Sequence, residues 1–500
     1  MTGQEHGKRH SSLDISPESM AELASKVTKL VTDYLAHVSD YPVFPPTSAG
    51  KTFASLDKYL ALEGEPLEKL LADLQVVLDN SRHNGHPRFF GYVASPANPV
   101  GVFADLVASA LNSNVTSWRS GPAATELERA VVRWMGSLVG FSDNASGLLT
   151  SGGSMANFTA LFVAHRTKWE SRSELGAETP GALGRKGLWN SSVPMTIYAS
   201  EEIHLSIPKA ADLMGIGRDH VRLVPCDVRL RIDVAKLREI IAADLAKGLK
   251  PFCVVGSAGT VNTGAIDPLD QIARVAREFD LWFHVDGAYG APGALDESKR
   301  PLFAGIDQAD SLSLDPHKWL YVPLDAGCIL FKDEARHRAA FNSEEADYIK
   351  VHEADDDAFA FWDYGPELSR RFRALKIWFT LRYYGVARIA GAITEDNLLA
   401  RYLGQQIESS EDFELLAPVE LSICCFRYVP DGLRGDDAAL NELNTRIMQT
   451  VQRGGQAYVS NATIGGKFAL RACITNFRTT RADIDKTLEI IRAAAKLHDR

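Results

Sequence analysis

The chain has 500 residues, of which 45% are apolar and 24% charged, a composition typical of a folded protein with two or three domains. Its 64 acidic and 54 basic residues give a net charge of -10 without a basic cluster, which excludes a nucleic-acid-binding surface. The six cysteines lack CxxC spacing and are typical of core thiols in a reducing compartment, so we expect a cytoplasmic protein without a metal site.

Residues 1–105 are predicted to form an N-terminal helical arm. No secretory signal opens it, and no apolar run is long enough to predict a membrane span. Ser16 and Pro17 begin a helix whose apolar residues recur at helical spacing up to Val38, and a second apolar helix is expected near 66–79. Because such an arm has no core of its own, we expect it to pack on another domain or on a partner subunit.

Short β-branched segments alternate with helical ones from residue 106 to residue 385, which predicts a large α/β domain with a mostly parallel sheet. Seven strands are expected, at 147–153, 194–200, 219–226, 251–260, 281–290, 310–318 and 327–333. Residues 386–500 combine strand-like and helical segments, which predicts a smaller α+β domain. Its last helix begins with Thr480 and Asp483 in capping-box spacing.

Chemically apt residues follow five of the predicted strands, namely Gly152, His204, Thr260, Asp286 and Lys318. Ligands of open α/β sheets bind outside the carboxyl ends of the strands, so we expect these residues to share one site. Lys318 lies among apolar and aromatic neighbours that would partly desolvate its amine, which suits Schiff-base formation. Asp286 ends an apolar strand, where an acid is costly unless something positive meets it.

The segment TSGGSMAN, residues 150–157, is a strand end, a glycine turn and the start of a helix. Such a turn suits a phosphate, although by itself it could be purely structural, and it matches neither a Walker A loop nor a GxSxG elbow. His204 could likewise be a structural residue, or it could stack on an aromatic ring. A phosphate turn, an acid for a pyridinium, a stacking histidine and a Schiff-base lysine together describe pyridoxal 5'-phosphate (PLP).

At this point the sequence resembles the group II PLP-dependent amino acid decarboxylases, which include aromatic L-amino acid, tyrosine, histidine and glutamate decarboxylases. The matching motifs follow the family order from about residue 86 to 380: HPRFFGY, ATELE, TSGGSMAN, EEIHLSI, GTVNTGAIDPL, HVDGAYG, DPHKWLYVP and RRFRALKIWF. The resemblance implies a fold-type I architecture and a homodimer with active sites at the subunit interface.

The resemblance also implies roles around the cofactor ring. Lys318 would be the Schiff-base lysine and Asp286 would pair with the pyridine nitrogen. His204 and Ala288 would lie against opposite faces of the ring, and Thr260 would lie near its substituents.

For the phosphate, the resemblance points to Gly152, Gly153, Ser154 and His317. For the substrate, it points to Ser95, Asn114, Thr116 and Arg471, of which Arg471 resembles the late arginine that meets a substrate carboxylate in this fold. Asp315 stands where many members have asparagine, which leaves the phosphate contacts from that side open. Asn114 and Thr116 are more polar than their counterparts in animal aromatic decarboxylases, and Arg119 could accept an acidic substrate.

The activity implied is decarboxylation of an L-amino acid, most readily an aromatic one, to the amine and CO2 through a Lys318 internal aldimine and a quinonoid intermediate. Tyr348, within the acidic segment 342–365, matches the tyrosine of a catalytic lid that protonates the carbanion. Related aldehyde synthases typically replace that tyrosine or the stacking histidine, and both are present here, which favours the amine. An oxygen-dependent aldehyde synthase and a decarboxylase of an acidic or other polar amino acid remain as alternatives.

Overall fold

The computed structural model describes residues 13–56, 62–170, 187, 193–341 and 359–498. Three helices open the chain, α1 (Pro17–His37), α2 (Ala49–Leu56) and α3 (Leu67–Asp79), and none of their residues is buried. Ser16 caps α1 by accepting a hydrogen bond from the Ser19 amide, with Pro17 directly after it. Strand β1 (Phe89–Phe90) follows the arm and joins the sheet of the C-terminal region.

The central sheet confirms the prediction of seven mostly parallel strands. These are β2 (Ser146–Thr150), β3 (Met195–Ser200), β4 (Val221–Val224), β5 (Lys250–Ser257), β6 (Trp282–Asp286), β7 (Ser311–Leu314) and β8 (Gly327–Phe331). Their order is β2-β8-β7-β6-β5-β3-β4, and β8 is antiparallel to both neighbours whereas the other adjacent pairs are parallel. The predicted segments at β2, β5, β6 and β7 ran three or four residues too far, into turns that follow the strands.

Helices cover both faces of this sheet, and its strands are consequently buried almost throughout. The helices of this region are, in chain order, α4 (Pro99–Leu111), α5 (Pro122–Leu138), α6 (Gly153–Glu170), α7 (Ser206–Leu213), α8 (Val234–Ala246), α9 (Leu269–Glu278) and α10 (Glu334–Phe341). Helix α9 illustrates why these helices pack inward, because its apolar residues Leu269, Ile272 and Ala276 recur on one face and are buried. Within the described part of the chain, no helix is long and apolar enough to cross a membrane.

A long helix, α11 (Ala374–Glu408), leads into the C-terminal region and is interrupted at Gly385, whose φ is 73°. Beyond it lie β9 (Phe413–Leu415), β10 (Ile423–Tyr428), α12 (Asp437–Arg453), β11 (Tyr458–Ile464), β12 (Lys467–Cys473) and α13 (Arg481–Lys496). They form a five-stranded sheet in the order β1-β11-β12-β10-β9, with a second hydrophobic core. The capping box of Thr480 and Asp483 is present at the start of α13, as predicted.

Candidate active site

A cavity of about 530 Å³ lies where β2, β3, β5, β6 and β7 end. These strands share one direction, so their carboxyl ends meet at a single edge of the sheet. The cavity lining includes many of the residues predicted from the sequence, namely Gly152, Gly153, Ser154, His204, Thr260, Asp286, Ala288, His317, Lys318 and Arg471. The parallel sheet therefore brings together residues that are up to 166 positions apart in the chain, from Gly152 to Lys318, and the C-terminal sheet adds Arg471.

The turn between β2 and α6 accepts only glycine at two positions. Gly152 has a φ of 152°, a conformation that other residues rarely adopt. A Cβ on Gly153 would lie 2.9 Å from Asp315 Oδ2 and 3.0 Å from the Ala288 Cβ. The backbone therefore lies close against the cavity, and because the first N–H groups of a helix have no intrahelical partner, the start of α6 suits an anion.

Asp286 is a buried acid at the carboxyl end of β6, with 7% of its surface exposed. Its Oδ2 accepts a hydrogen bond from Asn157 Nδ2 at 2.8 Å, and its Oδ1 accepts one from the Ala288 amide at 3.1 Å. The Ser313 hydroxyl lies 3.4 Å from the same Oδ1. These donors offset the cost of burying the carboxylate and fix its orientation.

Lys318 lies in the turn after β7, with its Nζ 3.0 Å from Asp315 Oδ2. The side chain of Asp315 is almost fully buried, and its Oδ1 has no hydrogen-bond partner within the described residues. His317 accepts a hydrogen bond at Nδ1 from the Ala326 amide, 3.1 Å away. Burial lowers the pKa of His317, so its neutral ring carries the proton on Nε2, 3.8 Å from Asp315 Oδ2.

His204 lies between β3 and α7, where Ser206 orients its ring. The Ser206 amide donates to His204 Nδ1 at 3.2 Å, and the Ser206 hydroxyl lies 2.8 Å from the same nitrogen. Burial is the main cause that lowers the pKa of His204, which favours the neutral ring with its proton on Nε2. Thr260 is buried, with its hydroxyl 3.0 Å from that of Thr263.

Arg471 on β12 forms the wall contributed by the C-terminal sheet, and only 3% of its surface is exposed. Its Nε donates to the Val261 carbonyl and its Nη1 to the Tyr92 carbonyl, both at 2.8 Å. Its Nη2 is buried without a hydrogen-bond partner among the described residues. A buried guanidinium nitrogen with an unused donor suits a carboxylate ligand.

Three of the predicted substrate contacts are not among the residues that line this cavity. Ser95 lines a neighbouring cavity of about 260 Å³ that shares His317 with the first, and its hydroxyl donates to the His317 carbonyl at 3.3 Å. Asn114 accepts a hydrogen bond from the Arg370 amide, and the Thr116 carbonyl accepts one from the Phe361 amide. Tyr348 lies outside the described residues.

The structure adds residues that sequence reasoning did not single out, above all Asn157 on α6. Asn157 comes one helical turn after Gly153 and is 1% exposed, between the fully buried Ala156 and Ala160. A polar residue on the buried face of a helix that starts at a candidate phosphate turn is the pattern that could have identified it. Tyr92, within the HPRFFGY motif, also lines the cavity.

Comparison with known proteins assigns a family to this site. The conserved domain of pyridoxal-dependent decarboxylases matches residues 49–429. The aromatic-L-amino-acid decarboxylase of Bacillus atrophaeus is 35% identical over 486 residues, which cover 97% of each chain. The phenylacetaldehyde synthase of Rosa hybrid cultivar is 29% identical over 497 residues, covering 96% of this chain and 95% of the other.

Among solved structures, the crystal structure of Oryza sativa TDC with PLP and tryptamine aligns with a TM-score of 0.89 and 27% identity, covering 98% of this chain and all of the other. Together these matches confirm the expected family, the fold-type I architecture and the PLP cofactor. The chain belongs to the pyridoxal-dependent decarboxylase family and is a PLP-dependent carboxy-lyase.

Proposed function

We propose that this protein converts an L-amino acid, most readily an aromatic one, to the corresponding amine and CO2. The observation that carries the proposal is the single cavity in which the amine of Lys318, the carboxylate of Asp286 and the glycine turn before α6 meet. An amine, an acid and an anion-binding helix start are the three groups that PLP needs for its aldehyde, its pyridine nitrogen and its phosphate.

The residues of the cavity fit the cofactor. A side chain at Gly152 or Gly153 would meet His317 or Asp315, so both glycines leave space at the phosphate end. Ser154 and His317 supply further donors there, and the buried carboxylate of Asp315, which would repel a phosphate, is paired with Lys318 Nζ at 3.0 Å. When bound, PLP supplies an electron sink for the bond that releases CO2.

The protein groups have separate tasks. Lys318 supplies the amine that holds the cofactor, and Asp286 keeps a proton on the pyridine nitrogen by offering it a negative charge. His204 and Ala288 hold the ring from its two faces, and the Nε2 proton of His204 is available to a substrate carboxylate. Thr260 restricts the space beside the ring.

Substrate binding involves the wall that includes Arg471. Its unused Nη2 donor binds the carboxylate of the amino acid, while Tyr92 and Val93 supply an apolar surface beside it. The names of the Bacillus relative and the tryptamine bound to the rice protein support an aromatic side chain. Ser95, Asn114 and Thr116 are proposed as further substrate contacts.

Tyr348 is proposed as the proton donor that directs the product toward the amine. The alternative is an aldehyde synthase, a reaction for which the Rosa relative is named. His204, one of the two residues that related aldehyde synthases typically replace, is present in the cavity. This favours the amine as the product.

We also propose that the protein is a cytoplasmic homodimer. Helices α1 to α3 bury no residue within their own chain, and they expose Met20 and Leu23 on α1 and Phe53 and Leu56 on α2. A second copy that covers this apolar surface accounts for it. The cysteines, all with free thiols and mostly buried, support a reducing compartment.

A panel of L-amino acids tests the reaction directly. With aromatic substrates we expect stoichiometric CO2 and amine, while aldehyde and hydrogen peroxide as the main products would establish the aldehyde synthase instead. Faster turnover of acidic amino acids would overturn the aromatic preference. Lys318→Ala should abolish both turnover and the visible absorption band of the bound cofactor, and retention of that band would refute the role of Lys318.

A further inference from the structure

Asn157 is the branch point of a buried hydrogen-bond network that joins two residues of the cavity. Its Nδ2 donates to Asp286 Oδ2 at 2.8 Å and to the Ser206 hydroxyl at 2.9 Å. Its Oδ1 lies 3.0 Å from His284 Nε2. The four side chains, Asn157, Ser206, His284 and Asp286, belong to three elements, α6, α7 and β6, so one amide joins these elements beneath the cavity.

The direction of each hydrogen bond in this network follows from the Asp286 carboxylate, which accepts and therefore turns the NH2 group of Asn157 toward itself. Trp282 Nε1, which can only donate, gives its proton to Ser311 Oγ at 2.9 Å. At the other end, the Asn157 oxygen faces His284 Nε2, which must therefore donate, so the Ser311 hydroxyl donates to His284 Nδ1, also at 2.9 Å. Burial lowers the pKa of His284 to about 4, so the neutral ring carries one proton, on Nε2, and donates it to Asn157 Oδ1.

With its oxygen occupied by His284, the amide of Asn157 presents its NH2 group to Asp286 and Ser206. Asp286 Oδ2 accepts one of these N–H groups, which holds the carboxylate in place. Ser206 Oγ accepts a hydrogen bond from Asn157, and because His204 Nδ1 already accepts from the Ser206 amide, the Ser206 hydroxyl donates to the same nitrogen. This leaves the proton of the neutral His204 ring on Nε2.

We infer that Asn157 is a positioning residue that holds the Asp286 carboxylate and the His204 ring in the arrangement that PLP requires. The inference rests on the proposed function for the roles of Asp286 and His204. It adds that one amide orients both the carboxylate of Asp286 and, through the Ser206 hydroxyl, the ring of His204. Asn157 itself does not react.

The test is titration of apoprotein with PLP, followed by the absorption spectrum of the holoprotein. Asn157→Asp keeps the shape but places a second carboxylate against Asp286, and two acids at this distance cannot both be ionised. We expect the PLP dissociation constant to rise at least about tenfold, the effect of losing a hydrogen bond to a charged group. Asn157→Ser should also raise the PLP dissociation constant, because the serine side chain is too short to reach Asp286 or His284.

The chain offers a matched control in Asn444, which is fully buried and makes hydrogen bonds with its oxygen and both amide protons outside the cavity. Asn444→Asp should lower the thermal midpoint and leave the PLP dissociation constant within about twofold. Ser206→Ala removes only the branch to His204, so we expect near-normal PLP affinity with a lowered kcat.

Normal PLP affinity and spectrum in Asn157→Asp and Asn157→Ser would overturn the inference. So would equal weakening in Asn444→Asp, or failure of both Asn157 variants to fold while Asn444→Asp folds, because Asn157 would then have only a structural role. If the wild-type protein forms no amine from any amino acid, the proposed function fails, while the PLP titration still tests Asn157.

Discussion

Replacing Arg471 with methionine should weaken binding of the substrate carboxylate specifically. Methionine retains much of the apolar stem but removes the guanidinium, including the Nη2 donor that has no partner among the described residues. A hydrogen bond to a charged group contributes about 1.5–3 kcal/mol, which corresponds to a loss of about 10-fold to 150-fold in affinity.

Arg471 also holds its own surroundings, because it donates to the carbonyls of Tyr92 and Val261. A simple loss of activity would therefore not identify the carboxylate contact. The assay compares two unreactive ligands of the apoprotein, the reduced phosphopyridoxyl adducts of an aromatic amino acid and of its amine. These ligands differ only in the carboxylate, so the ratio of their dissociation constants isolates it.

In the wild-type protein we expect the amino acid adduct to bind more tightly, and in Arg471→Met this preference should shrink by the factor given above. Arg427 provides the control, since it too is a buried arginine of the C-terminal sheet with one unpartnered nitrogen among the described residues. Arg427→Met should reduce stability and leave the ratio unchanged. An unchanged ratio in Arg471→Met would refute the carboxylate contact.

Arg370→Met should cost about 3–5 kcal/mol of unfolding free energy because it leaves the fully buried Glu128 without its partner, and adding Glu128→Leu should restore part of the loss. Equal denaturation midpoints for the single and double variants would contradict this. Burial raises the pKa of Asp396 to about 7, so the protonated side chain is favoured in the folded state. Its contribution to the free energy of unfolding, roughly 4 kcal/mol, is full below about pH 4 and is lost as the pH rises to about 7. Asp396→Asn should remove that part of the slope of unfolding free energy against pH, and an unaltered slope would count against the assignment. Tyr348→Phe should lower the ratio of amine to aldehyde while PLP stays bound; an unchanged ratio excludes Tyr348 as the proton donor.

Much of the architecture could be predicted from local pattern. The segment around β6 is apolar and ends in an acid and two small residues, which indicates both a buried strand and its end. The sequence predicts every strand of the central sheet, because strands that are buried on both faces are short apolar runs. The predicted carboxyl ends of the strands lie too far along the chain, because the turns that contain Gly152 and Lys318 continue part of the apolar pattern of the strands before them.

The site was predictable to the extent that topology determines it. Parallel strands bring their carboxyl ends to one edge, so Asp286 and Lys318 could be placed together from sequence. The sequence pattern gave no contact for Asn157, and it did not show that Asn114 and Thr116 lie away from this cavity in their own chain. Arg471 could be proposed only through a family resemblance, because its partners Tyr92 and Val261 are 379 and 210 residues away.

Periodicity and neighbouring residues are enough to predict the order of strands and helices, the glycine turn, and the lysine and acid that identify the cofactor. Which groups satisfy one another beneath the cavity depends instead on how distant elements pack together. The hydrogen bonds that position Asp286 and His204 join α6, β6 and α7, and their directions follow from the accepting carboxylate of Asp286, a relation that no local pattern of residues contains.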